Sequence, residues 1–320
     1  FITADARVIL CNAVDSGQIF DREIPSLGFQ IKERPWTEPR EVLFGDLIRG
    51  RNVASDSGVL ATPNLASELA DFRRNLSDFE AKQLRIVGRG VVHAVEATAR
   101  GLKPGVTEAE VAGEVAHRLI RHEFTPVRIQ VQADGQGSRY RHWSHGSDAI
   151  ERHCVISAVA RRGGLHAACT RTISFGKPPR EMIDTHQVAS LLQATGVYFS
   201  QAGWEVCETW KRLERIFEKF GVPDEWRSAE QAESFGYDLC GWNVTPHSGH
   251  KFSTGQSLHW HPTVRFAATG DTVLIHQDRT ELITPCEVWP MLTIQIKGVT
   301  IERPAILNRE SPESTEWCLE

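Results

Sequence analysis

The 320-residue sequence contains no Cys-x-x-Cys pair. Its seven cysteines (positions 11, 154, 169, 207, 240, 286 and 318) form an odd, scattered set. That pattern excludes zinc-finger spacing and argues against a disulfide framework, so reduced thiols in a cytoplasmic protein are expected. No apolar run approaches the ~20 residues of a transmembrane helix. Basic residues are not in excess: 36 Lys and Arg stand against 41 Asp and Glu, a net charge of −5. Neither a nucleic-acid nor a membrane partner is expected on that balance, and "FRRN", "VARRGG" and "WKRLER" read as solvated faces. The chain has no G-x-G-x-x-G or Walker loop, which removes dinucleotide and P-loop chemistry, and no short-period repeat. It lacks an initiating Met and a signal-peptide pattern, and reads as starting inside a longer protein. What is there is an ordinary globular composition, 41% hydrophobic and 24% charged, with length enough for two domains.

Short apolar runs alternate with turn signals at the start, as in "RVILCNAV" (7–14), "EVLFGDLI" (41–48) and "NVASDSG" (52–58). Strands and short helices of a small α/β domain are expected over 1–76, with 61–76 as its exit. At Ser77 the pattern changes. "SDFE" is a capping box, and Leu84, Val87, Val91 and Val95 follow at helical spacing up to Gly101. Thr107 and Glu110 in "LKPGVTEAE" form a second box, opening a helix to about His122. Further helices are expected at 181–202 and 206–220, the latter stopped by Gly221 and Pro223. Strands are expected at 127–133, 154–160, 165–174, 256–261, 271–276 and 291–296. Strands interleaved with long helices predict an α+β domain over 77–307, a curved, mostly antiparallel sheet backed by helices. Residues 308–320 read as a polar tail.

The order of these pieces, with "LKPGVTEAEVA", a strand ending "TRTISFG" and then "DTVLI", resembles the creatinase/aminopeptidase P superfamily over nearly the whole chain. The resemblance implies the pita-bread fold, a smaller N-terminal creatinase-like domain, and a homodimer. In the metallopeptidases of that superfamily two Asp, one His and two Glu bind two divalent metals that activate water. The first Asp position, eleven residues ahead of the second, is Ser157 here, and the second is Ala168. The His position falls at Glu233 or its neighbours in "QAESFGY". The two Glu positions are His261, before Pro262, and Gly270, before Asp271-Thr272. None of the five ligands is kept, so the resemblance carries the fold and leaves the two-metal mechanism without its donors.

Three readings of the remaining pocket stay open. Alternation on a strand puts residues i and i+2 on one face, so His166 and Thr170 should share the face of Ala168, and His259 that of His261. The first reading is a metal-free hydrolase or lyase acting on a small C–N bonded substrate or peptide. Creatinase, within the same fold, offers the precedent of metal-free cleavage by His and carboxylates. His142, or alternatively His145, in "SRYRHWSHG" would be the general acid/base, suited by an unperturbed pKa near ~6.5. His261 would share that chemistry, while His166, His259 and Trp260 would bind substrate. No cofactor is needed. The second reading keeps metal on substituted ligands, as an Xaa-Pro-type metallopeptidase or with a single zinc on His259-x-His261 and a third ligand from His166 or His142. A non-catalytic pseudoenzyme that binds a small molecule or peptide is the third. Arg171 should point away from this face and pair structurally, and Cys169 should lie on the opposite face as an inert thiol.

Overall fold

A computed structural model describes residues 1–309 and divides the chain into two compact units, Phe1–Phe72 and Arg73 onward. In the first unit the strands β1 (Val8–Asn12) and β2 (Gln30–Arg34) pair in parallel, Val8 opposite Gln30. The helix α1 (Arg40–Ile48) occupies the "EVLFGDLI" run.

The second unit opens with α2 (Asp78–Gly101) and α3 (Glu108–Arg121), each started by the capping box its sequence announces. Ser77 donates its backbone N–H to Glu80 Oε2 at 2.7 Å while its Oγ accepts from the Glu80 amide at 3.4 Å. Tyr237 Oη donates to the other Glu80 oxygen at 2.6 Å. Leu84, Val87, Val91 and Val95 are all buried on the inner stripe of α2. Each such side chain contributes about 1.5–3 kcal/mol relative to exposure. They pack with α3 against one face of the strands β3 (Thr125–Ala133), β4 (His153–Arg162) and β5 (Leu165–Phe175).

The main sheet continues through β6 (Ala232–Phe235), β7 (Ser257–Trp260) and, after the short hairpin of β8 (Thr263–Val264) and β9 (Ala267–Ala268), β10 (Gly270–Ile275). Its order is β3-β4-β5-β10-β7-β6, every pair antiparallel. The strand β11 (Thr280–Leu282) adds to β10. Outside it, β12 (Met291–Ile296) and β13 (Val299–Pro304) form a separate hairpin, and β14 (Leu307–Arg309) pairs in parallel with β5. Residues 308 and 309, expected in a polar tail, therefore belong to a strand whose ladder partner is the 174–175 end of β5; the remainder of that tail lies outside the described residues.

The other half of the core packs α4 (Arg180–Phe199) and α5 (Val206–Lys219) on β7 and β10. Trp260 is its anchor: the indole is fully buried, donates to Ser200 Oγ at 3.0 Å, and lies where a Cβ on Gly196 would stand 2.4 Å from the ring. Trp260, expected at the substrate, is thus a core residue. Alternation along β7 turns it away from the face that His259 and His261 share.

The halves are tied by a buried ionic network. Arg171 Nε reaches Glu96 Oε1 at 3.0 Å and Nη1 reaches Asp271 Oδ1 at 3.0 Å, with all three side chains fully buried. Thr284 Oγ1 donates to Asp271 at 2.9 Å, and the amide of Glu287 donates to Glu96 at 3.0 Å. These bonds satisfy the carboxylates that burial would otherwise penalise. Arg171 is structural. Cys169 is buried in the α2 side of the core, and burial pushes its thiol well up.

Candidate functional site

The opposite, concave face of the sheet carries a polar cavity of about 50 Å³. Strand alternation builds its walls. Arg128, Gln130 and Gln132 come from one face of β3, Val155 and Ser157 from β4, Thr170 from β5, and His259 and His261 from β7 and the residue beyond it. The β8–β9 hairpin closes one side with Arg265, Phe266 and Thr269, and the 140–146 segment brings Arg141 and His142.

That segment is held from below by Glu108, the first residue of α3. Its fully buried carboxylate accepts from Ala133 N at 2.8 Å, from Trp143 Nε1 at 2.7 Å and from Gly146 N at 2.7 Å. Gln132 adds a bond from Nε2 to the Tyr140 carbonyl at 2.9 Å. His142 is thereby placed at the mouth, largely exposed, with Nε2 3.2 Å from Glu230 Oε2. Glu230 ionises more readily than usual because a backbone amide donates to it and because the histidines 142 and 261 stand nearby. His145 is exposed and does not line the cavity.

Inside, the rings of His259 and His261 stack at 4.8 Å with 17° between planes. Burial holds His259 well below the usual imidazole range, helped by His261 and Arg128; burial and Arg128 bring His261 down to about 4. Both are neutral at pH 7. Glu233 Oε1 lies 3.7 Å from His261 Nε2 and 4.0 Å from Arg128 Nη2, and burial raises its carboxyl above the usual range.

The five positions that the resemblance assigns to metal ligands now have defined surroundings. Ser157 Oγ accepts from Thr170 Oγ1 at 3.0 Å. Ala168 packs with Val159 and Phe235 in a small apolar cluster that Val127 and Leu239 complete. Gly270 faces Thr170, where a Cβ would stand 2.5 Å from Oγ1 and 3.3 Å from a His259 ring carbon. Only Glu233 and His261 present ligand atoms, and the cavity wall carries Arg128, Arg141 and Arg265 with no acidic side chain. Two side chains with ligand atoms, one of them beside the Arg128 guanidinium, are too few donors to fit a dinuclear centre. The third ligand of the H-x-H zinc reading, His166 or His142, does not converge with His259 and His261 within 4.8 Å. Parallel stacked rings direct their in-plane lone pairs alongside each other rather than to one point. Among the described residues, the one group of three potential ligand atoms within 4.8 Å of one another is Glu205, Cys207 and Glu208, away from the cavity.

His166, expected to look into the cavity, does not reach it. Its Nδ1 pairs with the Gly236 carbonyl at 2.8 Å, and Phe235 lies between it and His259, at ring distances of 6.1 and 5.3 Å. Alternation put His166 on the right face; it sits two residues along, behind the phenyl ring. Sequence reasoning missed Arg128, Gln130, Glu230 and Arg265. The first two carried a legible signal, polar side chains at alternate positions of a strand whose other positions are Val127, Ile129 and Val131.

The family model of metallopeptidase family M24 matches residues 82–303. No curated protein matches the sequence. Among solved structures, the X-Pro aminopeptidase of Thermotoga maritima MSB8 is similar with a TM-score of 0.76 at 13% identity, over 96% of this chain and 89% of that one. The Xaa-Pro dipeptidase of Bacillus anthracis is similar at 0.73 and 16% identity, over 90% and 87%. The prolidase of Pyrococcus furiosus is similar at 0.70 and 17%, over 82% and 86%. The neighbours share the pita-bread fold, and with the family model covering most of the second unit, the chain belongs to metallopeptidase family M24.

Proposed function

We propose that this M24 protein works without the family's two metals, as a hydrolase that acts on a small C–N bonded molecule or a peptide end through histidine acid/base chemistry. The observation that carries the reading is the His142–Glu230 pair, 3.2 Å apart, at the mouth of a cavity lined by His259, His261 and Arg128. A carboxylate that accepts from Nε2 fixes the tautomer and leaves Nδ1 as the base for a water proton. Inside, the two neutral imidazoles and the Arg128 guanidinium would hold a polar end of the substrate, so that its scissile bond lies at the mouth beside His142. The neighbouring cleft of about 320 Å³, which shares His142 and Ala229 with the cavity and includes Trp226, has room for the rest of the molecule.

The test is hydrolysis of a panel of Xaa-Pro dipeptides and small amidino and amide compounds. The similar Xaa-Pro dipeptidase and X-Pro aminopeptidase suggest the first group. Activity should survive EDTA and dialysis, and should fall at least ~100-fold in His142→Ala. Activity that appears only after Mn²⁺, Co²⁺ or Zn²⁺ is added would overturn the metal-independent reading.

The small volume of the inner cavity, about 50 Å³, favours a second reading, a non-catalytic binder of a small molecule or peptide end. Ligand-dependent stabilisation without turnover across the same panel distinguishes it.

A further inference from the structure

The cavity gathers polar atoms that have no hydrogen-bond partner among the described residues. Arg128 Nε, Arg141 Nε, Gln130 Nε2, Thr263 Oγ1, Thr269 Oγ1, His259 Nδ1 and His261 Nε2 are all buried and unpaired, and all belong to residues that line it. His259, Thr269 and Gln130 are themselves at most 9% exposed. Unmet polar groups cost about 1–3 kcal/mol each when buried, so seven around one small space are not left there by packing alone. Five of the seven are guanidinium, amide or hydroxyl groups able to donate.

Charge narrows the ligand further. Arg141 is matched by Glu225 at 2.5 Å, and Arg265 by Glu181 at 2.8 Å. Among the described residues Arg128 has only Glu233, at 4.0 Å, whose carboxyl burial makes harder to ionise. One guanidinium therefore remains under-neutralised, beside donors from β3 and from the β8–β9 hairpin. Planar guanidinium with convergent N–H and O–H donors recognises a carboxylate or phosphate, and a cation finds repulsion in the same wall.

We infer that this cavity is an oxyanion subsite, which takes the carboxylate or phosphate group of a small molecule between Arg128, Gln130, Thr269 and the His259–His261 pair. The inference rests on the proposed use of the same cavity as a substrate pocket and adds the chemical class of what enters it. The charged group sits inside, and the remainder extends past His142 into the cleft by Trp226.

Isothermal titration of the full chain with acetate, glycylproline, inorganic phosphate and phosphoserine, all at constant ionic strength, tests it. At least one carboxylate or phosphate probe should bind with a 1:1 stoichiometry, and the preferred pair tells which group the subsite takes. Arg128→Gln should weaken that binding at least tenfold, Gln130→Leu should weaken it by a smaller factor, and Arg180→Gln, on the exposed start of α4, should leave it unchanged. Neutral glycinamide should not bind at the same place. No binding by any of the four probes, or equal binding in wild type and in both Arg128→Gln and Gln130→Leu, would overturn the inference. Far-ultraviolet circular dichroism and melting temperature of each variant identify a misfolded one, and the other cavity variant then carries the comparison. Anion binding lost in Arg128→Gln, in a protein that turns over nothing, upholds the subsite and refutes the hydrolase reading. Metal-free turnover of a neutral amide with no anion binding does the reverse.

Discussion

Gly270 on β10 and Thr170 on β5 face each other so closely that a Cβ at 270 would lie 2.5 Å from the threonine Oγ1. Gly270→Ala should therefore destabilise the protein by about 1–3 kcal/mol, the usual cost of overpacking. Thr170→Ala in the same chain should recover part of that loss. Urea denaturation of the two single variants and the double variant measures the coupling; additive losses would show that the threonine is not the obstacle.

Arg171 neutralises Glu96 and Asp271 in a space that water does not reach. Arg171→Met removes the cation that both buried carboxylates share, leaving Asp271 only Arg303 at 3.6 Å and Glu96 only Arg100 at 3.7 Å among the described residues, and should cost about 3–5 kcal/mol. Its signature is a lowered urea midpoint with the slope unchanged, since the same surface is exposed on unfolding.

Glu108 acts on the site through the segment that carries His142. Glu108→Gln keeps the size of the side chain and weakens the bonds to Trp143 Nε1, Gly146 N and Ala133 N. Charged acceptors are roughly twice as strong as neutral ones, so a loss of about 1–2 kcal/mol is expected, with faster amide exchange confined to 140–146 and 133. Exchange that rises evenly across the second unit would refute this local role.

Glu281 receives two bonds from Arg85, at 2.6 and 2.7 Å, and one contact from His276 at 2.6 Å. The hydrogen bonds from Arg85 bring its carboxyl down from 4.5 to about 2. A depressed folded-state value stabilises the protein above the unfolded value and is lost as the pH falls toward 2. Wild type should lose on the order of 1–2 kcal/mol more than Glu281→Gln between pH 6 and pH 3, after allowance for solvent screening at this partly exposed pair. Denaturation series at both pH values check the difference.

Much of this was legible in the residues. The two capping boxes set the starts of α2 and α3 because their chemistry is local, and the strands expected at 154–160 and 165–174 are β4 and β5. The resemblance supplied the positions 157, 168, 261 and 270, and alternation paired His259 with His261 on one face. Short-range patterns failed where side chains meet across elements. "AESF" is too short to declare itself a strand, so Phe235 and the screen it makes before His166 were not foreseen. Trp260 looked like a pocket aromatic by its neighbours in sequence, yet the period of two sends it into the opposite layer. The charge of the cavity wall came from Arg128 on β3, Arg141 on a loop and Arg265 on a hairpin tip, three places that only the fold brings together.

The phenyl ring of Phe235, packed against Ala168 and Val159, makes one corner of the site solid hydrocarbon. A carboxylate placed at 168 would be driven into that hydrocarbon. What the cavity admits is set by the shape of this hydrocarbon corner as well as by the polar groups that line the rest of its wall.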